Sequence, residues 1–227
     1  MKRIIFILML LLASASTFAD DFVDGVAAYD RGDYETAFSR WKPLAEQGNA
    51  DAQFSLGWMY LNGSGVPQDY RQAVYWWSKA AEQGNAWAQH NLGLIYRIGQ
   101  GVAQDDKQAL YWWTRAAEQG YAAAQYNLGV MYEKGRGVAK EREQAVYWYR
   151  KAAEQGVAKA QHNLGAMYAN GEGVPRDYVQ AYLWFSLSAA QGDDSSRRAL
   201  GIVEQQTTRE QLAEAKRLAR EWKLSKE

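Results

Sequence analysis

Apolar residues return along this chain at a fixed step of 36 positions, with polar residues filling the intervals. Leu56, Leu92, Leu128 and Leu164 coincide, as do Gly57, Gly93, Gly129 and Gly165, and Tyr60, Tyr96, Tyr132 and Tyr168. Ala73, Ala109, Ala145 and Ala181 and Trp76, Trp112, Trp148 and Trp184 follow in the same register. Ala52, Leu56 and Tyr60 sit at i, i+4 and i+8, and Met59 widens that stripe, so the spacing predicts a first helix from about Ala52 to Asn62. A second helix is predicted from near Asp69, carrying Ala73, Trp76, Trp77, Ala80 and Ala81 until Gly84 caps it. Between the two, Gly63-Ser64-Gly65-Val66 allows positive φ and a reversal of direction, and the recurring Val can plug the turn into the core. Gly in mid-helix costs roughly 0.5–1 kcal/mol relative to Ala. Its return at Gly57 in every copy predicts a second helix pressed too close for a Cβ.

Self-similarity at this period marks a stack in which each unit covers an apolar face that its neighbour cannot bury alone. The units run over 52–87, 88–123, 124–159 and 160–195. Residues 20–51 read as a shorter helix pair with a tight Gly32-Asp33-Tyr34 turn, in which Ala37, Trp41, Leu44, Ala45 and Gly48 keep the offsets of Ala73, Trp77, Ala80, Ala81 and Gly84. Residues 196–227 read as capping helices: one over Ser196 to Gln206, then a capping box at Thr207 to Glu210 opening a last helix. That helix carries Leu212, Ala215, Leu218, Ala219 and Trp222 inward and charged residues outward, as a terminal cap requires.

Taken together, A-x-x-x-L-G-x-x-Y-x-x-G-x-G-V, an acidic residue and A-x-x-W-x-x-x-A-A-x-x-G resemble the Sel1-like repeat, a relative of the tetratricopeptide repeat, over Ala52 to Gly192. The resemblance implies an all-α fold, a right-handed α-solenoid of antiparallel helix pairs with first helices lining the concave side. It also implies an adaptor or scaffold in protein assemblies, with no catalytic residue in the motif itself. Some exported relatives carry a Cys pair in each repeat and have been associated with β-lactam compounds; this chain has no Cys.

The first 19 residues stand apart from the repeats. Lys2 and Arg3 precede an apolar run from Ile4 to Ala13 and small residues ending in Thr17-Phe18-Ala19, the layout of a secretory signal cleaved after Ala19. The run is short of the ~20 apolar residues that span a bilayer, so no membrane span is expected after cleavage. An exported product, periplasmic or alternatively secreted, is expected. With no Cys it must be held by packing, which ten Trp and fifteen Tyr supply. Lys+Arg and Asp+Glu number 26 each, and loss of Lys2 and Arg3 leaves a formal charge of −2. Near neutrality the chain lacks the electrostatic footprint of a nucleic-acid binder.

Positions that change between copies mark what stacking does not dictate. In the first helix these are the third, seventh and tenth residues, which share one face. They comprise Phe54, His90, Tyr126 and His162; Trp58, Leu94, Val130 and Ala166; and Leu61, Arg97, Glu133 and Ala169. Aromatic and Arg side chains dominate binding energy at interfaces. This face is therefore the candidate site for another protein, a peptide or helix held in the groove. Alternatively, the N-terminal pair covers Phe54 and Trp58 and makes them core.

Chemistry is sparse by comparison. His90 and His162 lie two repeats apart, too far for one metal, and neither metal nor cofactor is expected. Ser39-x-x-Lys42 resembles the opening motif of β-lactam-recognising serine enzymes but lacks its companions. The expectation is a non-catalytic interaction module. A cell-wall or β-lactam-related hydrolase and a glycan or small-ligand receptor are the rivals. N-terminal sequencing of the mature protein should begin at Asp20; a start at Met1 would overturn the expectation of export.

Overall fold

Asn49, not Ala52, decides where the first repeat starts. Its side-chain oxygen accepts from the Ala52 backbone N–H at 2.8 Å, so the helix begins at Ala50, two residues before the periodic stripe. In the computed structural model, which describes residues 20–224, helices follow one another with no strand among the described residues. The signal-like segment lies outside them. The helices are α1 (20–30), α2 (Tyr34–Glu46), α3 (Ala50–Asn62), α4 (Tyr70–Glu82), α5 (Ala86–Ile98), α6 (Asp106–Glu118), α7 (Ala122–Lys134), α8 (Arg142–Glu154), α9 (Ala158–Asn170), α10 (Tyr178–Ala190), α11 (Asp194–Gln205) and α12 (Arg209–Leu224). They form two compact units, divided between Asp105 and Asp106. Consecutive helices pack as antiparallel hairpins within each unit, an all-α solenoid architecture.

Close approach inside four of the hairpins follows the glycine signal. A Cβ at Gly57 would meet the Trp77 ring at under 3.0 Å, and the same holds for Gly25 against Trp41, Gly129 against Tyr149 and Gly165 against Phe185. Trp77 is 1% exposed, and its indole N–H donates to the Phe54 carbonyl at 3.1 Å. The ring thereby fills the groove that the missing Cβ leaves and satisfies its one donor. The expected Trp pairs are largely core, with Trp76, Trp112, Trp113 and Trp184 also buried and Trp148 half-buried.

Successive hairpins are clamped by amides that the apolar pattern did not reveal. Gln53 is buried on α3, donates to the Ala45 carbonyl in the last turn of α2 at 3.0 Å, and accepts from Gln83 at the end of α4 at 2.8 Å. One side chain thus ties three helices and gives a second donor to a carbonyl of the last α2 turn, which also accepts from the Gly48 N–H at 3.0 Å. Gln125 repeats this between Ala117 and Gln155, and Gln161 between Ala153 and Gln191.

The connecting loop is held at both ends. Asp69 caps α4 by accepting from the Arg71 and Gln72 N–H groups, and its own N–H donates to Tyr60 O at 2.9 Å. Gly65 has φ +72°, and a Cβ there would run into the backbone of Tyr34 at the start of α2. Val66 is half-buried against the core of its unit, as the plug expectation requires.

At the C-terminal end the capping box lies one residue later than its sequence signature. The Thr208 hydroxyl accepts from the Gln211 N–H at 3.2 Å, and Gln211 Oε1 accepts from the Thr208 N–H at 3.0 Å. Glutamine serves at that position as well as glutamate because only the acceptor oxygen is used. Ala215 and Ala219 of α12 are buried and Trp222 meets Trp184 edge-on at 5.1 Å, while Arg217 pairs with Glu214 and Glu221 on the outer face.

Gly57→Ala should destabilise the protein by about 1–3 kcal/mol, because the ring of Trp77 must shift. Gly201→Ala, where an added Cβ meets nothing within 4 Å, should instead stabilise by about 0.5–1 kcal/mol. Denaturant midpoints of the two variants check the pair; an unchanged Gly57→Ala midpoint would contradict the packing account.

Candidate functional site

Residues spaced i, i+4 and i+7 along α3 put Phe54, Trp58 and Leu61 on one face, outside the stripe that Leu56 and Met59 bury. Trp58 is 41% exposed, whereas Phe54 and Leu61 are half-buried. Phe54 stacks on Trp77 with ring centroids 6.3 Å apart and meets Trp87 at 6.1 Å. Phe54 is therefore braced by the core while its edge remains accessible, and Trp58 is not covered by the N-terminal hairpin.

Space opens between that hairpin and the first repeat. A cleft of about 580 Å³ is lined by Phe22, Tyr29 and Trp41 on one side and by Asp51, Phe54, Ser55, Trp58 and Trp87 on the other. Tyr29 stacks on Trp41 at 5.6 Å, and the Trp41 N–H donates to Phe22 O at 3.2 Å, so the first wall is internally held. Asp51 and Trp87 escaped the sequence reading. They occupy equivalent positions three residues before Phe54 and His90, on the same helical face, and change from copy to copy. That variation was the available signal.

On α5, Leu94 is exposed and Arg97 half-buried. His90 is 9% exposed, and burial pushes its pKa down to about 4. An imidazole buried in this way is neutral at ordinary pH.

In the second unit the same positions meet more neighbours. Tyr126 and Val130 of α7 are half-buried against the core around Tyr149. Glu133 accepts a 2.6 Å hydrogen bond from the Tyr149 hydroxyl. Burial opposes ionisation of Glu133, but hydrogen bonds from Lys134 and Tyr149 and the charges of Lys134 and Lys140 outweigh it and hold the carboxyl below its ordinary value. Burial, then the bond to Glu133, pushes the Tyr149 hydroxyl well above the usual phenol range.

On α9, His162 is engaged by the start of α11. Its Nδ1 lies 2.8 Å from Ser196 Oγ and 3.1 Å from Asp193, and its ring lies 5.5 Å from Phe185. Ala166 and Ala169 pack against the terminal cluster of Tyr182, Phe185, Val203 and Ala215. Thus the twelve candidate positions form no uniform strip: the open apolar part is Trp58 and Leu94, and the α9 part is lined by the capping helices.

No group of His, Asp or Glu among the described residues could hold a metal ion. Ser39 donates to the Thr36 carbonyl, and the Lys42 ammonium lies over the Phe38 ring at 5.6 Å. No helix of the described residues is long and apolar enough to cross a membrane.

A family model described as Sel1 repeat matches residues 50–85, 88–121, 122–157 and 158–193. Among solved structures, a Sel1 repeat protein from Oxalobacter formigenes is 36% identical with a TM-score of 0.76, over 79% of this chain and 74% of that one. The protein c5321, a protective antigen present in uropathogenic Escherichia coli strains and displaying an SLR fold, is 32% identical with a TM-score of 0.50. That match covers 94% of this chain and 56% of the antigen, so this chain spans little more than half of it. MamA, at 23% identity and a TM-score of 0.50 over 76% of this chain and 96% of that one, shares the fold alone. No curated protein matches the chain.

Because burial depresses the His90 pKa, the unfolded chain takes up a proton between pH 6.5 and about 4 that the folded chain refuses. Stability should therefore be full above pH 6.5 and fall by up to about 3 kcal/mol as the pH drops to 4. His90→Phe, with the side chain found at position 54, should lose less over that interval; equal slopes in pH-dependent denaturation would show that His90 is accessible to protons.

Proposed function

The chain belongs to the Sel1 repeat family, whose members generally mediate protein–protein interaction, and from this premise we propose that it is a non-catalytic interaction module of the bacterial envelope. In this reading a peptide or helix of a partner protein lies in a groove along the first helices α3 and α5. The observation that carries it is the pair Trp58 and Leu94: large apolar side chains exposed at equivalent turns of α3 and α5, at positions that stacking leaves free. Exposed apolar groups on preformed helices favour binding twice over, by surface removed from water and by the small ordering entropy a rigid surface costs. Export through residues 1–19 would place the module where envelope partners are met. Neither Ser39 nor Lys42 supports the hydrolytic rival, since each is occupied by a local partner of its own.

Affinity capture from envelope extract, comparing the protein with Trp58→Ala/Leu94→Ala, tests the reading. The variant should recover at least tenfold less of the partner, since loss of a central aromatic anchor removes about 2 kcal/mol or more, while its unfolding midpoint stays put. Equal recovery by both proteins would remove this face from the interaction.

A further inference from the structure

We propose that the cleft between the N-terminal hairpin and the first repeat is a receptor for a guanidinium group, the side chain of an arginine on the partner segment. The proposal rests on the interaction reading above and names the chemistry of the partner's anchor.

Ring faces carry negative potential and attract a cation within about 6 Å of their centroids. Elsewhere this protein satisfies that attraction internally. Tyr75, Tyr111 and Tyr147, all exposed, each hold the cation of the residue four positions on: Lys79 at 5.0 Å, Arg115 at 5.7 Å and Lys151 at 5.8 Å. Trp58 and Trp87, the exposed rings of the cleft, are followed at that spacing by Asn62 and Asn91. Among the described residues no Lys or Arg lies over either indole. The two exposed indoles, which the chain leaves without a cation of their own, therefore face the same cleft.

Charge points the same way. Asp51 lines the cleft, and no basic side chain does. Residues 20–49, which supply the facing wall, hold seven carboxylates against three basic groups. Of those three, Arg40 is paired with Asp21 at 2.6 Å and Lys42 lies over Phe38. The Asn85 amide donates to Asp51 Oδ1 at 3.2 Å, which orients the carboxylate without using all its acceptor capacity.

Between the two common cations, guanidinium fits better than ammonium. It is planar, weakly hydrated and stacks on indole faces, and its fork of donors matches a carboxylate in two parallel bonds. A compact ammonium would lose more hydration on entering a cleft walled mainly by carbon.

Selection of a random heptapeptide display library on the whole protein, followed by affinity measurement, tests this. Enriched peptides should share one arginine, and replacing it by citrulline, equal in shape but uncharged, should weaken binding at least tenfold. Asp51→Asn and Trp58→Ala/Trp87→Ala should each weaken the arginine peptide several-fold and leave the citrulline peptide nearly unaffected. Equal affinities for the arginine and citrulline peptides, or indifference to all these substitutions, would overturn the proposal. Enrichment of apolar anchors that Trp58→Ala abolishes would sink the arginine assignment while leaving the interaction reading standing. Absence of any enrichment, together with equal capture in the extract experiment, would sink both.

Discussion

An aromatic ring seated where a glycine has no side chain is the contact on which four of the helix hairpins depend. Its geometry explains what the four copies hold constant and what they let drift. Glycine stays at 57, 129 and 165, and at 25 in the N-terminal pair, while the ring is Trp77, Tyr149, Phe185 and Trp41. The requirement is thus for space beneath a flat group, since the hydrogen bond that accompanies it varies. Trp41 and Trp77 donate to backbone carbonyls, Tyr149 reaches the Glu133 carboxylate, and Phe185 has nothing to donate. At this position each buried donor has an acceptor and a ring without a donor needs none, so the position tolerates three chemistries.

With those hairpins closed in this way, the glutamine clamps join one hairpin to the next. They account for most of the buried polar side chains in an interior made chiefly of aliphatic and aromatic groups. An amide can donate and accept at once, so Gln53 bridges Ala45 and Gln83 where a hydroxyl would serve less fully and a hydrocarbon not at all. Stability built from such nearest-neighbour terms places little demand on the outer surface of the first helices, and leaves room there for Trp58 and Trp87.

Legibility in the sequence followed this division of labour. Packing in a helical stack repeats with the chain, so Leu56, Gly57, Trp77 and the Gly63–Val66 turn could be read as periodicity and found in place. Gln53 recurs as strictly as they do, yet its role depends on a carbonyl of the preceding hairpin that no hydrophobic pattern displays. The start at Asn49 and the Thr208–Gln211 box were shifted because caps depend on local hydrogen bonds lying outside the apolar stripe. Asp51 and Trp87 belong to the variable face but fall one turn before the positions that defined it. The fate of His162 was set by Asp193, near the end of the fourth copy, and by Ser196 beyond the repeats, where no further copy exists for comparison.

One division therefore organises the molecule: recurring positions build the stack, and the indoles of the cleft are spared from that task. Thermal unfolding of Trp58→Ala/Trp87→Ala beside Trp77→Ala tests it most directly. The account predicts a double variant that melts cooperatively within about a degree of the parent, since exposed substitutions outside structural networks cost at most ~0.5 kcal/mol. It predicts a Trp77→Ala variant lowered by many degrees, as a buried aromatic truncated to alanine loses about 3–5 kcal/mol. A double variant that fell as far as Trp77→Ala would show the cleft rings to be part of the core and contradict the account.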